Sequence, residues 1–102
     1  VTMMERHPLG SQAFMPLSDE EWLVVVALTN ADDSAPDFDG LRCFRARGDQ
    51  GVTYVPGVWH HPLLVLTDQD FLIADRVGPV DEAASANLQE YWGDAPAAVI
   101  TF

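Results

Sequence analysis

The sequence has 102 residues, 48% hydrophobic and 21% charged, which is enough apolar content for the core of a single domain. Only 5 Lys and Arg residues oppose 16 Asp and Glu residues, and the formal net charge is −11. Such a surface repels phosphate backbones and anionic lipids, which argues against nucleic-acid and membrane partners. An anionic substrate would also be repelled unless its pocket carries an Arg, a His or a bound cation.

The single cysteine, Cys43, excludes an internal disulfide and favours a reducing, cytoplasmic compartment. No histidine flanks it, so a buried and inert thiol is expected. The longest apolar run, residues 22–28, is too short to span a bilayer, and the first residues do not form a signal-peptide pattern.

Short segments rich in Val, Leu, Phe and Tyr alternate with Pro, Gly and Asp clusters, which predicts an all-β antiparallel sandwich or barrel. The predicted strands, in chain order, are residues 2–7, 11–17, 22–29, 42–46, 51–55, 63–67, 71–75 and 97–102. The acidic segment 30–40 is expected to be a loop with a short helical turn after Pro36. Residues 78–87 are expected to contain a second helical turn.

The apolar run at residues 22–28 does not alternate with polar residues, which predicts a strand that is buried on both faces. So short a chain has little apolar surface to cover such a strand, so we expect it to associate with a second copy or with a preceding segment. The sequence also begins within a predicted strand, which indicates that the full protein extends upstream of Val1.

The spacing of several polar residues is similar to the metal motifs of cupin barrels, His-x-His-x4-Glu and Gly-x2-His. Glu5, His7 and Gln12 form Glu-x-His-x4-Gln, and Gly57 with His60 forms Gly-x2-His. Imidazole and carboxylate ligands suit nickel, zinc or iron(II). The candidate metal ligands are therefore Glu5, His7, Gln12 and His60.

Strand alternation decides which of these side chains share a face. Glu5 and His7 are two residues apart and point the same way, whereas Arg6 points to the opposite face as a surface or interface ion pair. Pro8 and Gly10 interrupt the strand, so the chain can reverse there and place Gln12 in the same pocket. His60 and His61 cannot both enter that pocket, and the Gly-x2-His position selects His60, within a turn that leads into the next strand.

Three segments together resemble the ureidoglycolate lyases, formerly called ureidoglycolate hydrolases. Residues 5–14 (ERHPLGSQAF) are similar to one signature of that family, residues 50–54 (QGVTY) with 58–63 (VWHHPL) to a second, and residues 70–76 to a third. The match covers about residues 3–76. It implies that residues 1–102 are one cupin-like β-barrel or sandwich domain, incomplete here because family members carry a further N-terminal stretch. It also implies a homodimer with nickel as cofactor.

The resemblance implies an activity in allantoin breakdown, the elimination of urea from ureidoglycolate to give glyoxylate. That reaction needs a base for the hydroxyl proton and a donor for the departing nitrogen, for which His7 and His60 are the candidates. A histidine that ligates a metal cannot also be the free base, and the sequence leaves this choice open.

The candidate substrate-binding residues are Gln12, Tyr54, Trp59 and Arg76. Core packing of Tyr54 and Trp59 remains an alternative, as does an ion pair between Arg76 and one of the many acids. The rival functions are a cupin enzyme of another class, which would need histidines at positions 5 and 12, and a non-catalytic or differently specific metal-binding cupin for a small carboxylate ligand.

Overall fold

A computed structural model describes residues 1–96 and 98–101 of the chain. Within these ranges the elements are β1 (Met3–Arg6), β2 (Gln12–Pro16), β3 (Trp22–Ala27), β4 (Arg42–Ala46), β5 (Val52–Tyr54), β6 (Trp59–His60), β7 (Leu64–Val65), β8 (Phe71–Asp75) and β9 (Gln89–Trp92), with 3-10 turns at Phe38–Gly40 and Ala84–Asn87. In the same ranges, no helix has the length and apolar character needed to cross a bilayer.

The strands form two antiparallel sheets. The larger sheet has the order β4-β3-β6-β1-β9, with β7 also paired to β3, and the smaller has the order β5-β2-β8. The sheets pack face to face through a cluster that combines residues of both, namely Phe14, Trp22, Val24, Ala46 and Tyr54. The prediction of an all-β, cupin-like antiparallel sandwich is confirmed.

Strand β3 is buried on both faces, as its unbroken apolar run predicts. Trp22 and Val24 contribute to the cluster between the sheets. Val25 and Ala27 belong to a second cluster on the outer face of the larger sheet, together with Met4 and Trp59. That second cluster is covered by partly buried apolar residues from the loop around Phe38 and from the C-terminal segment.

Seven of the eight predicted strands correspond to observed strands, and both predicted helical turns are present. The prediction of a strand at residues 97–102 is wrong for residues 98–101, which form no strand; Ala97 and Phe102 lie outside the described residues. The place beside β1 is taken by β9, which pairs with β1 from Met3↔Trp92 to Arg6↔Gln89 and which the sequence did not predict. Residues 98–101 instead pack by side chains such as Ile100.

Cys43 is exposed, so the expectation of a buried thiol is wrong. It lies on β4, the edge strand of the larger sheet, whose first four residues are all exposed. The sequence does not reveal which strand is at an edge, because strand order depends on pairings between distant residues.

We expect the substitution Trp22→Ala to lower the free energy of unfolding by about 3–5 kcal/mol, because it empties a closely packed position. Trp22 is 1% exposed, and its ring meets the Phe71 ring edge to face at 5.0 Å. Trp92 is 66% exposed and serves as the matched control, for which a loss of about 0.5 kcal/mol or less is expected. Urea unfolding of both variants measures the difference, and equal losses would contradict the proposed core.

Candidate metal centre

The polar residues singled out in the sequence meet at one end of the sandwich. Glu5 is the penultimate residue of β1, and its backbone partner on the neighbouring strand is His60, the last residue of β6. Gln12 begins β2 in the facing sheet, where it lies between Tyr54, the last residue of β5, and Asp75, the last residue of β8. The site is therefore assembled from strand ends of both sheets.

The connection between β1 and β2 brings His7 and Gln12 together, as the breaks at positions 8 and 10 allow. The carbonyl oxygen of His7 accepts a hydrogen bond of 3.0 Å from the backbone N–H of Gly57. Gly57 has a φ of +83°, a conformation that favours glycine. A Cβ atom at Gly10 would lie 2.6 Å from the Cβ of Arg76, so the turn also needs a glycine there to approach the residue that follows β8.

Glu5, His7 and His60 direct one ligand atom each at a common point. Glu5 Oε1 lies 3.7 Å from the Nε2 atom of His7 and 3.7 Å from that of His60. The three ligand atoms all lie within 4.8 Å of one another. The amide of Gln12 contacts both Nε2 atoms, at 3.1 Å for His7 and 2.9 Å for His60.

Backbone carbonyls hold the far side of each imidazole ring. Nδ1–H of His7 donates to the carbonyl oxygen of Asn87 at 2.7 Å, and Nδ1–H of His60 donates to that of Val58 at 3.1 Å. The side chain of Asn87 also accepts a hydrogen bond from the backbone N–H of Leu9, within the β1–β2 turn. A carbonyl on Nδ1 fixes the tautomer that leaves Nε2 free as a ligand, as at many metal sites.

The site is short of positive charge. Burial raises the pKa of the Glu5 carboxyl, and the nearby Glu90 and Asp75 carboxylates raise it further, whereas His7 lowers it. Burial lowers the pKa of His60 to about 4, so this ring is neutral near neutral pH and keeps a lone pair. A cation placed among these groups would relieve the repulsion between the carboxylates.

The donor set fits a divalent transition metal. One carboxylate and two imidazoles are ligands that nickel, zinc or iron(II) accept. Atoms that bind one such ion at about 2.1 Å lie roughly 3.0–3.4 Å apart. The separations of 3.7 Å from Glu5 Oε1 exceed this by a few tenths of an ångström, and all three ligand atoms lie within 4.8 Å of one another, so the side chains would have to draw together to hold an ion.

Tyr54 lies in the site, where its ring stacks on His60 with centroids 4.0 Å apart and planes 7° from parallel. It is 4% exposed, and burial raises its pKa to about 12. Trp59 lies apart from the site. Its ring packs in the cluster on the outer face of the larger sheet and beneath the guanidinium of Arg6, 4.6 Å away, which supports the core-packing alternative.

Arg76 lines a cavity of about 300 Å³ that opens beside His7, together with Asp75, Glu82 and Asn87. The guanidinium of Arg76 is 2.8 Å from the Glu82 carboxylate, which is an ion pair with one of the many acids of the chain. His61 does not belong to the candidate metal centre. It lines a separate, mainly apolar cavity with Leu23 and Leu64, as strand alternation predicts.

On the face opposite the site, Arg6 forms the ion pair that alternation predicts, although the residue is buried rather than at the surface. It contacts Asp33 at 2.6 Å and the side chain of Gln89, its register partner on β9, at 2.6 Å.

The sequence interpretation missed Asn87, Val58 and Asp75. Asn87 and Val58 act through backbone carbonyls, which no residue type identifies. Asp75 lies within the third family-like segment, so a pairing of that strand with residues 11–17 would have pointed to it.

The fold and the site define a cupin-like sandwich with a candidate metal centre at one end. Comparison with known proteins refines this class. The family model for ureidoglycolate lyase matches residues 1–100, and the chain belongs to that family.

Curated relatives named ureidoglycolate lyase support this assignment. The chain is 50% identical to the protein of Brucella ovis over 93 residues, which is 90% of this chain and 50% of the relative. It is 50% identical to that of Agrobacterium fabrum over 97 residues, 94% of this chain and 53% of the relative. It is 48% identical to that of Burkholderia mallei over 91 residues, which is 88% of this chain and 51% of the relative. The chain thus spans about half the length of the curated relatives it matches.

Proposed function

We propose that the protein eliminates urea from ureidoglycolate to give glyoxylate, as a carbon–nitrogen lyase. The observation that carries this proposal is the convergence of Glu5, His7 and His60 beside a polar cavity that contains an arginine. A small anion with a hydroxyl group needs a positive site, which a cation held by these three residues, together with the Arg76 guanidinium, would supply in an otherwise acidic chain. Membership of the ureidoglycolate lyase family supports the same substrate.

The reaction breaks the bond between the carbinol carbon and the ureido nitrogen. The hydroxyl loses its proton, its oxygen becomes the aldehyde oxygen of glyoxylate, and the departing nitrogen gains a proton to form urea. A bound divalent cation supplies Lewis acidity, which lowers the pKa of the substrate hydroxyl. We propose nickel as that cation and Glu5, His7 and His60 as its protein ligands, because both rings present Nε2 with Nδ1 held by a carbonyl.

The remaining steps use other residues around the cavity. Arg76 binds the substrate carboxylate, for which its planar guanidinium is suited. Asp75 lines the same cavity beside His7. It receives the hydroxyl proton and passes it to the departing nitrogen, since the two imidazoles would be committed to the cation. Tyr54 acts through His60, whose ring it holds by stacking.

Glyoxylate release from ureidoglycolate by the intact protein, with and without added nickel, tests the proposal. Formation of glyoxylate and urea in equal amounts, stimulated by nickel and abolished by a chelator, is expected. Nickel binding without any glyoxylate would contradict it and favour a non-catalytic carboxylate-binding cupin.

We expect Arg76→Gln to raise KM for ureidoglycolate about tenfold or more while changing kcat less, because a charged hydrogen bond to the carboxylate is lost. Glu82→Gln should lower KM, since the Glu82 carboxylate, 2.8 Å from the Arg76 guanidinium, competes with the substrate carboxylate for it. Arg47, an exposed arginine paired with Asp49, provides the matched control as Arg47→Gln. Steady-state kinetics of the three variants decide; an unchanged KM in Arg76→Gln would remove Arg76 from the substrate site.

We also propose that residues 1–102 form a single domain, that the protein is a homodimer and that it is cytoplasmic. The core shared by both sheets supports a single domain. Exposed apolar side chains on one edge strand of each sheet, Phe44 on β4 and Leu72 and Ile73 on β8, support association. The free, exposed thiol of Cys43 supports a reducing compartment.

A further inference from the structure

The Gln12 amide contacts two histidine nitrogens at once, and its orientation determines what it does there. One amide atom lies 2.9 Å from Nε2 of His60 and 3.1 Å from Nε2 of His7. This atom is placed as the oxygen. The two ends of an amide have nearly the same size, so hydrogen-bond partners decide which end faces the rings.

The carbonyl contacts decide the orientation. A carbonyl oxygen only accepts hydrogen bonds, so Nδ1 of His60 carries a hydrogen for Val58 and Nδ1 of His7 carries one for Asn87. An amide oxygen facing both Nε2 atoms would need a hydrogen on each of them as well, which would make two imidazolium cations of rings whose centroids are 5.6 Å apart, one of them only 1% exposed. The –NH2 group needs no such charge, because it donates to the lone pair on Nε2.

The same –NH2 group then also faces His7. It has two hydrogens, and the two contacts at 2.9 and 3.1 Å use one each, so His7 accepts through its own Nε2 lone pair. Gln12 is 7% exposed and lies between its strand neighbours Tyr54 and Asp75, which leaves little freedom for other partners.

We infer that Gln12 donates one hydrogen bond to Nε2 of each histidine and thereby competes with a cation for both lone pairs, so that Gln12 sets the cation affinity without being a ligand. This inference rests on the proposal that His7 and His60 bind the cation. It assigns to Gln12 a positioning role that differs from the fourth-ligand role expected from the cupin spacing.

Nitrogen NMR of the imidazole rings in the intact protein, without added metal, tests the hydrogen-bond pattern. Both rings are expected to be neutral with the hydrogen on Nδ1, and a coupling across N–H···N is expected between Gln12 and each ring. A hydrogen on Nε2 of either ring would overturn the inference, because the amide would then be an acceptor. This readout does not depend on lyase activity, so a failure of the proposed reaction would be recognised separately.

Calorimetric titration with nickel tests the competition. Gln12→Leu removes both donors at similar volume, and we expect it to bind nickel about tenfold more tightly than the wild type. Gln50→Leu, at an exposed turn where the side chain accepts from the Arg47 N–H, is the matched control and should bind as the wild type does. Unchanged binding by Gln12→Leu would overturn the inference, and weaker binding would overturn it and identify the amide oxygen as a ligand.

Discussion

Replacing His60 with alanine is expected to reduce kcat/KM about tenfold or more beyond the loss caused by His61→Ala, because, of these two neighbours, it is His60 that directs a ring nitrogen at the proposed cation site. His60 is 1% exposed, stacks on Tyr54 and directs Nε2 at Glu5 and Gln12. His61 is adjacent in sequence but lies on the other face, where its backbone N–H donates to the carbonyl of Val25 on β3.

The neighbouring histidine is therefore an internal control of the same residue type. Both variants should first be shown to unfold at similar urea concentrations, since His60→Ala leaves a small cavity beneath the ring of Tyr54. Steady-state kinetics at saturating nickel then give the two losses. Equal losses in variants of equal stability would mean that His60 does not belong to the reactive site.

Replacing Gln12 with glutamate is expected to tighten nickel binding about tenfold and to raise KM for ureidoglycolate. A carboxylate cannot donate to the two Nε2 lone pairs, and it adds a negative charge to a site where Glu5 and Asp75 already repel. A cation relieves that repulsion, whereas the carboxylate of the substrate increases it in a partly desolvated pocket.

Nickel titration and steady-state kinetics of Gln12→Glu measure the two effects side by side. Gln50→Glu adds the same charge at an exposed turn and controls for the change in net charge. If nickel affinity and KM both remain at the wild-type values, then Gln12 does not face the bound cation or substrate in solution.

The sequence predicted most of the sandwich because alternating or continuous apolar segments record which faces are buried. Strand β3 is the clearest case, since its unbroken run from Trp22 to Ala27 matches burial on both faces. Strand β6 was interpreted as part of a turn, because the strand has only two residues and these are too few to show an alternation of apolar and polar side chains. Strand β9 was missed because Gln89, Glu90 and the exposed Trp92 give it no apolar face.

The sequence predicted the residues of the candidate site but not the backbone contacts and strand pairings that hold them in place. Spacing placed Glu5 and His7 on one face, and the breaks at positions 8 and 10 allowed Gln12 to return, as the structure shows. The contact with Asn87 spans 80 residues and uses a backbone atom, so no local pattern reports it. Strand order, which brings Asp75 beside Gln12, is likewise a property of long-range pairing.

Side chains alternate between the two faces along β1, so the chemistry of the site depends on the register in which this strand is paired. A slip of one residue would turn Glu5 and His7 to the outer face and point the guanidinium of Arg6 at the imidazole of His60. The contacts of Arg6 with Asp33, Gln89 and the ring of Trp59 are made only in the observed register. Arg6, which lies on the face opposite the candidate metal centre, therefore disfavours a folded but inverted strand, in which a fixed positive charge would lie in that centre.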